Sequence, residues 1–160
     1  MATPASPFQI IQPKGMYTTP NYVHALRAGN TLYVAGQVAR DEHGNLVGEG
    51  DVAAQARQVY RNIGTVLAAA GADWRHIVKV TTYLLDRADS PAVTAVRHEH
   101  FGDHRPPHTG LIVAGLGSPG VRLEVDVIAV LPSGAKQRRR ADRTRDRRAR
   151  RATSRRSARR

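Results

Sequence analysis

The chain has 160 residues, 25 Lys or Arg against 13 Asp or Glu, no cysteine, and a formal net charge of +12. The whole excess sits in residues 136–160, where 14 basic residues face only Asp142 and Asp146; the 11 basic and 11 acidic residues of 1–135 cancel. A basic nucleic-acid-binding fold is thereby excluded for the first part of the chain, and the lack of cysteine excludes disulfides, thiolate metal sites and cysteine nucleophiles.

About 135 residues make one domain with a core of its own. No apolar run approaches the ~20 residues of a membrane span. The start, MATPASPFQIIQPKG, lacks a basic segment leading into an apolar one, so no secretory signal and a soluble, cytoplasmic protein are expected. Residues 1–15, rich in Pro, Ser and Thr, read as a loose arm with a short strand at Phe8–Ile11, ahead of a domain over 16–132. Two strand-like runs around Gly29-Asn30 read as a β-hairpin, and Asp41-Glu-His-Gly44-Asn45 as a further turn.

Asp51 is placed to cap a helix in which Val52, Ala56, Val59, Ile63, Val66 and Leu67 recur at helical spacing. Gln55, Arg57, Gln58, Arg61 and Asn62 fall on its other face, and Gly71 suits its end. Ile77–Leu85 reads as a central strand. A second helix begins at Ser90-Pro91, turns Val93, Val96 and Phe101 inward and stops at Gly102. Strands over Thr109–Ala114 and Val121–Leu131 close the domain. The order ββ-α-β-α-ββ predicts an α+β fold, an antiparallel or mixed sheet with two helices on one face.

Three clusters invite a function. Gly115-Leu-Gly-Ser-Pro-Gly120 matches a dinucleotide fingerprint, but Pro119 and a strand follow where a helix must begin, so a hairpin loop is expected. His98, His100, His104 and His108 lie near Glu99 and Asp103, yet helical residues two apart point about 200° apart. A surface helix and a loop, without metal, is the expectation. Glu124 and Asp126 share the strand face away from the core residues Leu123, Val125 and Val127. Left in solvent they are ordinary surface carboxylates; covered by a second subunit, Glu124 becomes a candidate acid or base. The Arg-rich 133–160 segment is expected to be disordered, with salt-sensitive, sequence-blind nucleic-acid contact through 136–160.

Asn21-Tyr22-Val-His24, Ala28-Gly-Asn30-Thr-Leu-Tyr-Val-Ala-Gly36-Gln37, Asp51-Val-Ala-Ala-Gln55-Ala-Arg57-Gln, Val78-Lys79-Val-Thr-Thr-Tyr83-Leu and Leu123-Glu124-Val-Asp126-Val-Ile-Ala129-Val together resemble the YjgF/RidA (Rid) family, in order, over about 8–132. The resemblance implies a chorismate-mutase-like subunit, a homotrimer with ligand clefts between subunits, and hydrolysis of reactive enamines or imines to a carbonyl product and ammonia, without cofactor or metal. It assigns Glu124 to the attacking water and Tyr22 to the cleft wall. Where it places a carboxylate-clamping Arg, this chain reads Pro106-Pro107-His108-Thr109. The expected site is then catalytic Glu124 and His108, with Tyr22, Arg105 and the amides of Thr109 and Gly110 on a substrate that need not carry an α-carboxylate. The alternative is a non-catalytic trimer that binds a metabolite or partner.

Overall fold

A computed structural model describes residues 6–132. Among these described residues six strands form one sheet in the order β1-β2-β3-β6-β4-β5. They are β1 Phe8–Ile11, β2 Ala25–Ala28, β3 Thr31–Gln37, β4 Ile77–Leu84, β5 His108–Ile112 and β6 Leu123–Val130. Only β4 and β5 run parallel; the other neighbours are antiparallel. Helices α1 (Val52–Ala70) and α2 (Ser90–Phe101) cover one face, burying Val59, Ile63, Val66, Val93 and Val96 against Val80, Leu123, Val125 and Val127.

Local chemistry sets these boundaries. Ala28 pairs with Thr31 across Gly29-Asn30, and only Gly29, at φ +58°, is left-handed, as a II′ hairpin turn requires. The Asp51 carboxylate accepts from the Ala54 amide at the start of α1, and Gly71 at φ +76° donates back to Ala68 and Leu67 at its end.

Three expectations change. The Phe8–Ile11 strand is not part of a loose arm: it pairs along its whole length with β2, making the order β-β-β-α-β-α-β-β. The Gly115–Gly120 segment is not a hairpin loop, because β5 and β6 flank β4 on opposite sides and the segment crosses over between them. Alternation fixes which face a residue takes, not which strand lies beside it. Besides these changes, Gln55, Gln58 and Asn62, on the other face of α1, are buried. The 38–50 loop and the crossover lie against that side of α1, and their backbone groups need partners. Gln55 holds the carbonyls of Gly48 and Gly120 and the Arg122 amide, while Gln58 and Asn62 share the Arg40 carbonyl. Finally, the histidines are not simply solvated: half-buried His100 stacks on buried Tyr60 at 5.4 Å, while His104 Nε2 bonds the Ile77 carbonyl at 2.7 Å.

Among the described residues, none covers the sheet face opposite the helices. Ile10, Leu26, Tyr33 and Ile128 form one cross-strand row along it, with Phe8 and Val130 in the next. Phe8, Ile10, Tyr33 and Val130 are each 44–55% exposed. Among the described residues no helix is long and apolar enough to cross a membrane. The basic segment 136–160, with its expected disorder and nucleic-acid contact, lies outside the described residues.

Candidate active site

β6 alternates strictly, so Leu123 and Val125 enter the core while Glu124 and Asp126 stand on the uncovered face. Glu124 lies opposite Tyr83 of β4, and the Tyr83 hydroxyl donates to Asp126 Oδ2 at 3.0 Å. That hydrogen bond, with burial and the nearby carboxylate charges, raises the Tyr83 pKa. Burial first, and then the charge of Asp126, raises the pKa of the half-buried Glu124. Among the described residues the Glu124 carboxylate makes no hydrogen bond and no ion pair.

Gly36 makes room for it. A Cβ at position 36 would lie 1.8 Å from Glu124 Oε1 and 2.7 Å from Cδ. The β3–β6 register also shifts between Val34 and Gln37, beside Glu124. Gly36 in turn borders a hollow of about 100 Å³ that includes Tyr22, Tyr17, His24 and Arg61. Tyr22 is half-exposed there, edge-on to His24 at 6.4 Å. Gly36 thus links the surroundings of Tyr22 with those of Glu124 at one end of β3; it is the glycine of the Val-Ala-Gly-Gln segment, and nothing in the sequence marks it as the seat of a carboxylate.

His108 stands elsewhere. It pairs with buried Val80, and its Nε2 lies 3.1 Å from Thr82 Oγ1, so it faces α2. His108 and Glu124 thus lie on opposite faces of one sheet, and a single chain does not bring them together. Gly110 follows His108; Thr109, with the hydroxyl that accepts from Lys79 Nζ, is on the Glu124 face. Arg105 turns Nη1 back to the carbonyls of Gly102 and His104, although it borders a small hollow with His108. The arginine that matters to His108 is Arg97 of α2. Burial, then the charges of Arg97 and Lys79, push the His108 pKa down, leaving a neutral ring at pH 7. Sequence reading passed over Arg97 because nothing in a helical pattern says which strand residue a surface arginine will meet.

The family model Endoribonuclease L-PSP matches residues 13–131. A 3-aminoacrylate deaminase of Acinetobacter baylyi is 36% identical over 126 residues, 77% of this chain and 98% of its own length. The human 2-iminobutanoate/2-iminopropanoate deaminase is 32% identical over 109 residues, 68% of this chain and 79% of its own. The crystal structure of YyfA from Yersinia pestis, described as a protein of unknown function of the conserved Rid protein family, is similar at a TM-score of 0.73. It is 30% identical and covers 78% of this chain and 99% of that one. With the match running from just ahead of β2 to the end of β6, the chain belongs to the Endoribonuclease L-PSP family, that is, to the YjgF/RidA (Rid) proteins.

Proposed function

We propose that this protein is a hydrolase that deaminates reactive enamine and imine metabolites, releasing a carbonyl compound and ammonia. The observation that carries this reading is the Glu124 carboxylate, half-buried over Gly36, raised in pKa and without a partner among the described residues. The names of the Acinetobacter and human relatives point to the same chemistry.

The substrate, if an enamine, first gains a proton on carbon and loses one from nitrogen to become the imine. Water oxygen then bonds to the imine carbon while one water proton passes to Glu124. The C=N electron pair moves to nitrogen, which takes up a proton and completes a carbinolamine. Glu124 returns its proton to that nitrogen, the C–N bond breaks with ammonia as the leaving group, and the hydroxyl loses its proton to give the carbonyl. A base that must also serve as acid works best with a pKa nearer the working pH, the direction in which burial moves Glu124. The reaction consumes only water, so no cofactor is called for.

Because His108 and Glu124 occupy opposite faces of one sheet, the complete site lies between copies in a homotrimer. Glu124, Gly36 and Tyr22 come from one copy, His108 and the Thr109–Gly110 amides from the next. β5 is the edge of the sheet, which leaves backbone donors on its outer side available to the substrate. The same contact covers the exposed apolar rows of β1 and β3, a patch that a monomer would leave in water.

Purified protein supplied with 2-imino acids generated in situ is expected to release keto acid and ammonia faster than the uncatalysed reaction; release at the uncatalysed rate contradicts the reading. Gly36→Ala probes the geometry. The added methyl evicts the carboxylate, whose side chain swings away cheaply, so thermal unfolding stays near that of the wild type. Turnover falls about 10²-fold, the scale of a displacement of about 1 Å in a catalytic group. Unchanged turnover in Gly36→Ala would show that the seat of Glu124 is unimportant.

A further inference from the structure

Between α2 and β5 lies a hollow of about 190 Å³, smaller than the 300–1,000 Å³ common for drug-sized ligands. Arg97 and Arg87 line it, with Ser90 and Thr94 from the same stripe of α2 and Thr82 and His108 from the sheet. Ser90, Thr94 and Arg97 are spaced by four and three residues and so face the same way. No Asp or Glu among the described residues borders the hollow. Among the described residues the guanidinium of neither Arg87 nor Arg97 has a hydrogen bond or an ion pair, whereas Arg75 and Arg122 each grip a carboxylate. Two unmatched guanidiniums beside hydroxyl donors suit an anion. His108, neutral at pH 7, can exchange a hydrogen bond with it but cannot supply the charge. Arg97 can: it borders both this hollow and the smaller one on the other side of His108.

We propose that Arg97 anchors a carboxylate of the substrate in this hollow, with His108, Ser90 and Thr94 as neutral partners. The inference rests on the deaminase reading for its substrate class. It also revises the expectation drawn from His108 alone: the substrate is a small imino or enamino acid, its charge met from α2 rather than from β5.

The full chain is titrated with 2-oxobutanoate, with butanone, which has the chain but no carboxylate, and with inorganic phosphate. Binding of 2-oxobutanoate well above the other two is expected. Arg97→Gln should weaken it roughly 10- to 100-fold, the range for a charge-assisted hydrogen bond. Arg97→Lys keeps the charge but loses the planar fork, so affinity falls several-fold; this variant decides the matter should Arg97→Gln not fold. In Arg97→Gln the His108 imidazole, followed by NMR, titrates at higher pH than in the wild type, because burial and Lys79 then act on it without Arg97. Equal binding of butanone, tighter binding of phosphate, or 2-oxobutanoate affinity unaltered in Arg97→Gln and Arg97→Lys overturns the proposal. Binding through Arg97 in a protein that releases no ammonia would sink the deaminase reading and leave the anion site standing. Turnover with unaltered binding in both variants does the reverse.

Discussion

Glu124→Gln lowers kcat for imine hydrolysis by roughly 10²–10⁴-fold, the usual contribution of a positioned general base. The amide has the shape of the carboxylate and still fits over Gly36, so the loss is one of proton transfer and not of packing. Substrate binding through the opposite face is untouched, and KM moves far less than kcat, the signature of an interaction made mainly in the transition state. Stability does not fall, since a half-buried carboxylate that is repelled by Asp126 and bonded to nothing among the described residues loses no partner on becoming neutral. Steady-state ammonia release and thermal unfolding on the same preparation check both halves. A variant as active as the wild type would move the chemistry away from β6.

Arg122→Ala destabilises the domain by about 3–5 kcal/mol, as measured by urea unfolding, because it strands a buried carboxylate. Asp89 is 5% exposed at the start of α2, yet its side chain makes no capping bond to the helix. Its partner is the guanidinium of Arg122, with Nη2 at 2.6 Å from Oδ1 and Nε at 3.0 Å from Oδ2, the two-pronged geometry that Lys cannot reproduce. The pair ties α2, which carries Arg97, to the residue two before Glu124. Replacing both partners by Leu leaves no orphaned charge and costs much less than Arg122→Ala alone. A loss below about 1 kcal/mol, the scale of an exposed ion pair, would mean that Asp89 is solvated in solution.

Much of this was legible in the sequence, because some features are local. The cap at Asp51, the stop at Gly71, the turn at Gly29-Asn30 and the inward set Val93, Val96 and Phe101 each follow from a few neighbouring residues, and the structure repeats them. The placement of Glu124 opposite the core followed from alternation alone. What could not be read is non-local. The insertion of β6 between β3 and β4 is invisible in a period of two, so the Gly115–Gly120 crossover looked like a hairpin. Gln55, Gln58 and Asn62 could be placed only on a face of α1, because amides look alike in a helical pattern whether they meet water or the backbone of a distant loop. The candidate site shows the same limit. Glu124 and Tyr22 were named from a resemblance, but the seat at Gly36, the separation of His108 from Glu124 and the unmatched charge of Arg97 exist only once the strands are side by side.

The most direct measurement is the pH dependence of ammonia release by the wild type and Glu124→Gln side by side. A base is active when ionised, so wild-type kcat/KM should climb with pH through the Glu124 titration, with a midpoint above the ordinary 4.5 because burial and Asp126 raise it. The Gln variant should be slow and lack that limb. The same rising limb in both proteins, or a wild-type midpoint at or below 4.5, would contradict a role for Glu124 as the base that activates water.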